Sequence, residues 1–101
     1  MKGNTMEQFI DDLLTIGGPE KEFIFHSKLY FLETMFRNER GLLELYVDEY
    51  DNLDPDEANL LNHYSFWGNN FTECTEQFEK AKIFDGLDIY SAESEIEVLY
   101  G

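Results

Sequence analysis

A chain of 101 residues that is 43% apolar and 16% aromatic can build one folded domain around a single core, and such composition excludes a disordered acidic tail. Its 22 acidic side chains against 7 basic ones leave a formal net charge of -15. That is the sign of nucleic acid and of anionic membranes, so neither is expected as a direct ligand, and a basic protein is.

Cys74 is the only cysteine, so no internal disulfide can form. The opening MKGNTMEQF has no apolar secretion segment, and no run of about eighteen apolar residues occurs. A soluble protein of the reducing cytosol, neither secreted nor membrane-spanning, is the expectation.

In chain order, Met6, Phe9, Ile10, Leu13, Leu14 and Ile16 recur at helical spacing. Asn4 or Thr5 can cap them and Gly17-Gly18 can stop them, which predicts a helix over about 5–16. Asp11 and Asp12 fall on its polar side. The aromatic-rich stretch 22–36 follows. β-Formers and a turn at Arg37-Asn38-Glu39-Arg40-Gly41 predict strands at 23–26 and 43–47, while 28–36 fits either a strand or a helix. His26, inside an apolar run, is expected as a satisfied core or edge histidine.

Asp54-Pro55-Asp56-Glu57 has the form of a helix start: a capping carboxylate, proline at the first position, then acids against the positive end of the dipole. Leu60, Leu61, Tyr64 and Trp67 would continue that helix on one face, up to Gly68-Asn69-Asn70. A second helix from Asn70 or Thr72 buries Phe71, Cys74, Phe78 and Ala81, so Cys74, Trp67 and Phe71 read as packing residues. Asp85-Gly86 marks a turn before a short strand at 87–90, and Ser91 could cap a last helix carrying Glu93, Glu95 and Glu97. Together these elements predict an α+β fold, a small single domain over 1–101 with helices packed on a short antiparallel sheet.

Nothing in the pattern assembles a reaction centre. Two isolated histidines and one cysteine supply no nucleophile-base pair. The tract DNLDPDE resembles a calcium loop but lacks the turn glycine and a bidentate Glu at the right distance. Zinc spacings, phosphate loops and dinucleotide fingerprints are missing as well. No enzyme, no cofactor and no metal are expected.

The acidic tract 47–57, VDEYDNLDPDE, remains. It holds Asp48, Glu49, Asp51, Asp54, Asp56 and Glu57, and no Lys or Arg occurs between Arg40 and Lys80. Glu44, Glu73, Glu76 and Glu79 extend it. Carboxylates about 6.6 Å apart on a strand face, or about 5 to 6 Å apart on a helix, approach the spacing of phosphates along a duplex. These ten residues are the candidate partner-binding set, and the expectation is a non-enzymatic inhibitor that occupies a basic DNA-binding channel.

Four segments, MEQFIDDLLTIGG, EKEFIFHS, VDEYDNLDPDEANLL and NNFTECTEQFEKAKIFDGLDIYSAESEIEVLYG, resemble in order and pattern part of the ArdA antirestriction family. Asp48-Glu49-Tyr50 and Ile89-Tyr90-Ser91 match its acidic-tyrosine element and its short strand before a final acidic helix. The resemblance covers about two thirds of the chain. It implies a phage- or plasmid-borne DNA mimic whose partner is a restriction-modification enzyme, or equally a CRISPR effector. ArdA proteins are longer at both ends, and 28–42 exceeds the family's connection, so a compact mimic of a shorter groove is what carries over. A second class, an immunity protein plugging a basic nuclease toxin, would anchor through Tyr46, Tyr50 or Trp67. A third, an acidic adaptor, would show weak salt dependence. Aromatics around Tyr30, Phe31 and Tyr46 would suit either a homodimer or the core.

Overall fold

Alternation of buried side chains builds most of the molecule. The computed structural model describes residues 1–15 and 20–101. Strands β1 (Lys21–Phe25), β2 (Lys28–Arg37), β3 (Leu42–Tyr50), β4 (Leu60–Gly68) and β5 (Glu97–Tyr100) form one antiparallel sheet in the order β4-β3-β2-β1-β5. Helices α1 (Met6–Leu13), α2 (Phe71–Lys80) and α3 (Ile89–Ala92) complete the α+β fold, with a 3-10 turn at Glu93–Glu95 after α3.

The register places Phe23 opposite Tyr30, Leu32 opposite Val47, and Val47 opposite Tyr64. One sheet face therefore carries Phe23, Phe25, Tyr30, Leu32, Leu45 and Val47. It shares a single core with Phe9 and Leu13 of α1, Cys74 and Phe78 of α2, and Ile89 and Ala92 of α3. All three helices thus cover the same face, and the opposite face is open. Phe84, in the α2–α3 connection, is fully buried and meets the rings of Phe23, Phe25, Tyr30 and Phe78.

The predicted helix at 5–16 is α1, whose cap Thr5 accepts from Gln8 N. Ile16 and the Gly17-Gly18 stop lie outside the described residues. Stretch 28–36 resolves as β2, since Tyr30, Leu32 and Thr34 are needed between the inward rows of β1 and β3. Turns form at 38–41 and at Asp85-Gly86, and α2 follows its Asn70 cap.

Several expectations are corrected. The helix predicted from Asp54 is one turn only: Asp54 accepts from Asp56 N and Glu57 N, and the chain then enters β4. Asn62, Tyr64 and Phe66 alternate with His63, Ser65 and Trp67, and pairing with β3 outweighs the helical spacing of Leu60, Leu61, Tyr64 and Trp67. Trp67 consequently lies on the open face rather than in the core. The strand predicted at 87–90 is instead a bridge at Leu87 followed by α3. Asp88, not Ser91, is the cap, accepting from Ser91 N at 2.8 Å, and Glu97 belongs to β5.

Among the described residues, no helix is long and apolar enough to cross a membrane.

Candidate partner-binding surface

The open face carries what β2, β3 and β4 direct away from the helices: Phe31, Glu33 and Arg37, then Glu44, Tyr46 and Asp48, then His63, Ser65 and Trp67. Cross-strand neighbours join them. Arg37 Nε donates to Glu44 Oε1 at 2.8 Å, Tyr46 OH donates to Glu33 at 2.9 Å, and Ser65 Oγ donates to Glu44 Oε2. His63 bonds Asp48 through Nδ1 and stacks on Tyr46 with centroids 5.5 Å apart. Arg40 lies over the Trp67 ring at 4.1 Å.

Glu44 is only 5% exposed. Burial pushes its carboxyl pKa up, but the bonds from Ser65, Arg37 and His63 outweigh that and hold it below the usual range. The His63 imidazole is raised, first by its bond to Asp48.

Ser65, His63 and Asp48 have the connectivity of a serine-histidine-aspartate relay, with Ser65 Oγ 3.1 Å from His63 Nε2. In this arrangement Ser65 and His63 are both engaged by a further partner, Glu44. The Ser65 proton is already donated to Glu44, and two carboxylates favour the protonated imidazole over the free base. The cluster is a polar clamp across β3 and β4.

On the core side of β3, Glu49 is 3% exposed and receives Tyr30 OH at 2.8 Å, Asn62 Nδ2 at 2.7 Å and Lys28 Nζ at 2.9 Å. Burial raises its pKa, and these bonds more than reverse the effect. Lys28 also reaches Asp85 at 2.5 Å, which in turn binds His26 at 2.6 Å. His26 is exposed, not a core residue, and sits with Ser27 in the β1–β2 turn at φ 49° and 61°. Its contacts with Asp85 and Glu95 hold this left-handed turn against the α2–α3 connection and the 3-10 turn after α3.

The ten acidic candidates accordingly divide. Glu44 and Glu49 are buried and paired with Arg37 and Lys28, and Asp48, on the opposite face of β3 from Glu49, is held by His63, so these three are less free than the others to stand in for phosphates. Asp51, Asp54, Asp56, Glu57, Glu73, Glu76 and Glu79 have no Lys, Arg or His in ion-pair range among the described residues. Asp51 closes the β3–β4 loop by accepting from Asn59 N at 2.8 Å, Glu73 accepts from Asn69 N at 3.0 Å, and Glu79 accepts from Tyr90 OH. The loop and Glu73 stand at opposite ends of β4, roughly 27 Å apart along a nine-residue strand. They form two patches, not one row.

Comparison with known proteins adds no relative. No family model, no curated protein and no solved structure matches the chain. The surface must be interpreted from its own chemistry. Arg37, His63 and Ser65, which organise the open face, were not legible as a group because β4 reads as a helix. The period-two alternation over 62–67 is the signal that would have revealed them. Among the described residues, no group of His, Cys, Asp and Glu is arranged to hold a metal ion.

Proposed function

We propose that this protein is a non-enzymatic inhibitor of a DNA-processing defence enzyme, acting as a compact DNA mimic in the manner implied by its resemblance to ArdA proteins. One observation carries the reading. Three of the seven cations, Lys21, Lys28 and Arg37, pair with carboxylates inside the molecule, while the loop acids 51–57 and the α2 acids have no ion-pair partner among the described residues. Uncompensated carboxylates at a net charge of -15 destabilise an isolated domain and favour a basic counterpart. Such a counterpart is a nuclease channel built for a duplex, in a restriction-modification enzyme or a CRISPR effector of the bacterial cytoplasm.

The test is competition. The protein is titrated into a complex of a type I restriction-modification enzyme, or of a CRISPR effector, with labelled duplex, and displacement is followed by anisotropy between 50 and 200 mM salt, a range that alone weakens multi-phosphate contacts by about 10³ to 10⁵. Competitive displacement that weakens steeply with salt, and is lost in the D56K/E57K/E76K variant, is the expected result. Failure to displace duplex from enzymes of either class sinks the mimicry reading.

The aromatics of the open face favour a second reading, an immunity protein. Phe31, Tyr46 and Trp67 are half-buried beside the acids, and such anchors serve one specific partner. A single toxin bound tightly, and not released by duplex, distinguishes it.

A further inference from the structure

Where the β3–β4 loop folds back, the open face is indented by a groove of about 210 Å³ between Glu22, Leu29, Phe31, Tyr50, Pro55 and Ala58. Two cross-strand pairs make its floor, Glu22 with Phe31 and Leu29 with Tyr50. Pro55 and Ala58 of the loop supply the wall.

We propose that this groove is the binding site for one arginine side chain of the partner, an assignment that rests on the partner being basic as argued above. The volume is below the roughly 300 to 1,000 Å³ of pockets for drug-sized ligands, so it suits a single side chain. Phe31 and Tyr50 line it with aromatic rings and Leu29 with an aliphatic side chain, a lining that suits the stem and the flat head of arginine. Glu22 is half-buried at the rim, and among the described residues neither a cation in ion-pair range nor a hydrogen-bond donor meets its carboxylate. An apolar side chain seated here would cover that carboxylate without pairing it, at a desolvation cost. A guanidinium pairs with it in bidentate fashion while stacking on the aromatic faces, which a lysine ammonium does not do equally well. The acidic loop beside the groove adds long-range attraction for the same charge.

The site can be tested without any target enzyme. N-acetylarginine amide, N-acetyllysine amide and the neutral isostere N-acetylcitrulline amide are titrated into the labelled full chain and followed by amide chemical shifts. Saturable shifts centred on Glu22, Phe31 and Tyr50 are expected for arginine, with lysine several-fold weaker and citrulline at least tenfold weaker. Glu22→Gln should weaken arginine binding at least tenfold while leaving the rest of the spectrum in place, and Glu7→Gln, an exposed acid on α1 across the other sheet face, should change it less than twofold. Equal binding of citrulline or lysine overturns the assignment. So do shifts spread over the acidic loop and α2 that survive Glu22→Gln. Saturable arginine binding together with failed duplex competition would discard DNA mimicry and leave the groove standing.

Discussion

His63 stands directly opposite Asp48 across the β3–β4 ladder and hydrogen-bonds it through Nδ1, with Glu44 on the side of its other nitrogen. The bond to Asp48 raises the imidazole pKa. Proton-detected titration should place the His63 midpoint above the ordinary value of about 6.5. Asp48→Asn should bring it back toward that value, and an unchanged midpoint would show that the bond does not form in solution.

The sign of this shift sets a pH dependence. His63 and His26 are both raised, so their stabilisation is complete below about pH 6.5 and is lost as pH climbs through the raised values. Asp12, Glu44, Glu49 and Asp85 are lowered, so their stabilisation is present above the unfolded carboxylate values and is lost as pH falls through the native ones. Denaturant midpoints should therefore peak between roughly pH 4.5 and 6.5 and decline on both sides. A midpoint that rises steadily to pH 9 would contradict the assignment.

Two substitutions at buried groups should differ sharply in their cost. Phe84 meets four aromatic rings and is fully buried, so Phe84→Ala should cost about 3 to 5 kcal/mol. Thr34 has a buried hydroxyl oxygen with no partner, so Thr34→Val should leave stability unchanged or raise it by about 1 kcal/mol. Urea unfolding of both variants measures the contrast.

Gly68 ends β4 where α2 approaches. A Cβ there would lie 2.8 Å from Glu73 Cβ and 3.1 Å from Cys74 Sγ. Gly68→Ala should cost about 1 to 3 kcal/mol through overpacking, read as a lower thermal midpoint with the same far-ultraviolet spectrum.

Cys74 is 1% exposed, and burial pushes its thiol pKa up. A thiol reagent should leave the native protein unlabelled over hours and react fully once urea unfolds it. Rapid labelling of the native state would show that α2 detaches from the sheet.

Strand β3, helices α1 and α2 and the turns at Arg37–Gly41 and Asp85-Gly86 were legible in the sequence, because each depends on local periodicity and on caps or turn residues close in the chain. The candidate site was legible only in part. Asp54, Asp56 and Glu57 are exposed as their loop composition implies, whereas Glu44 and Glu49 look identical to them in sequence and are buried in the structure.

Composition and local pattern were enough for an acidic, aromatic-rich α+β domain with one buried cysteine and no internal disulfide. Tertiary structure alone decided which carboxylates are neutralised, because Arg37, Lys28 and His63 reach Glu44, Glu49 and Asp48 only when distant segments pair in register. It likewise decided that 60–68 is a strand: the helical spacing of its leucines is a local preference, and the unpaired edge of β3 offers a ladder of hydrogen bonds and an apolar face that the local preference cannot match.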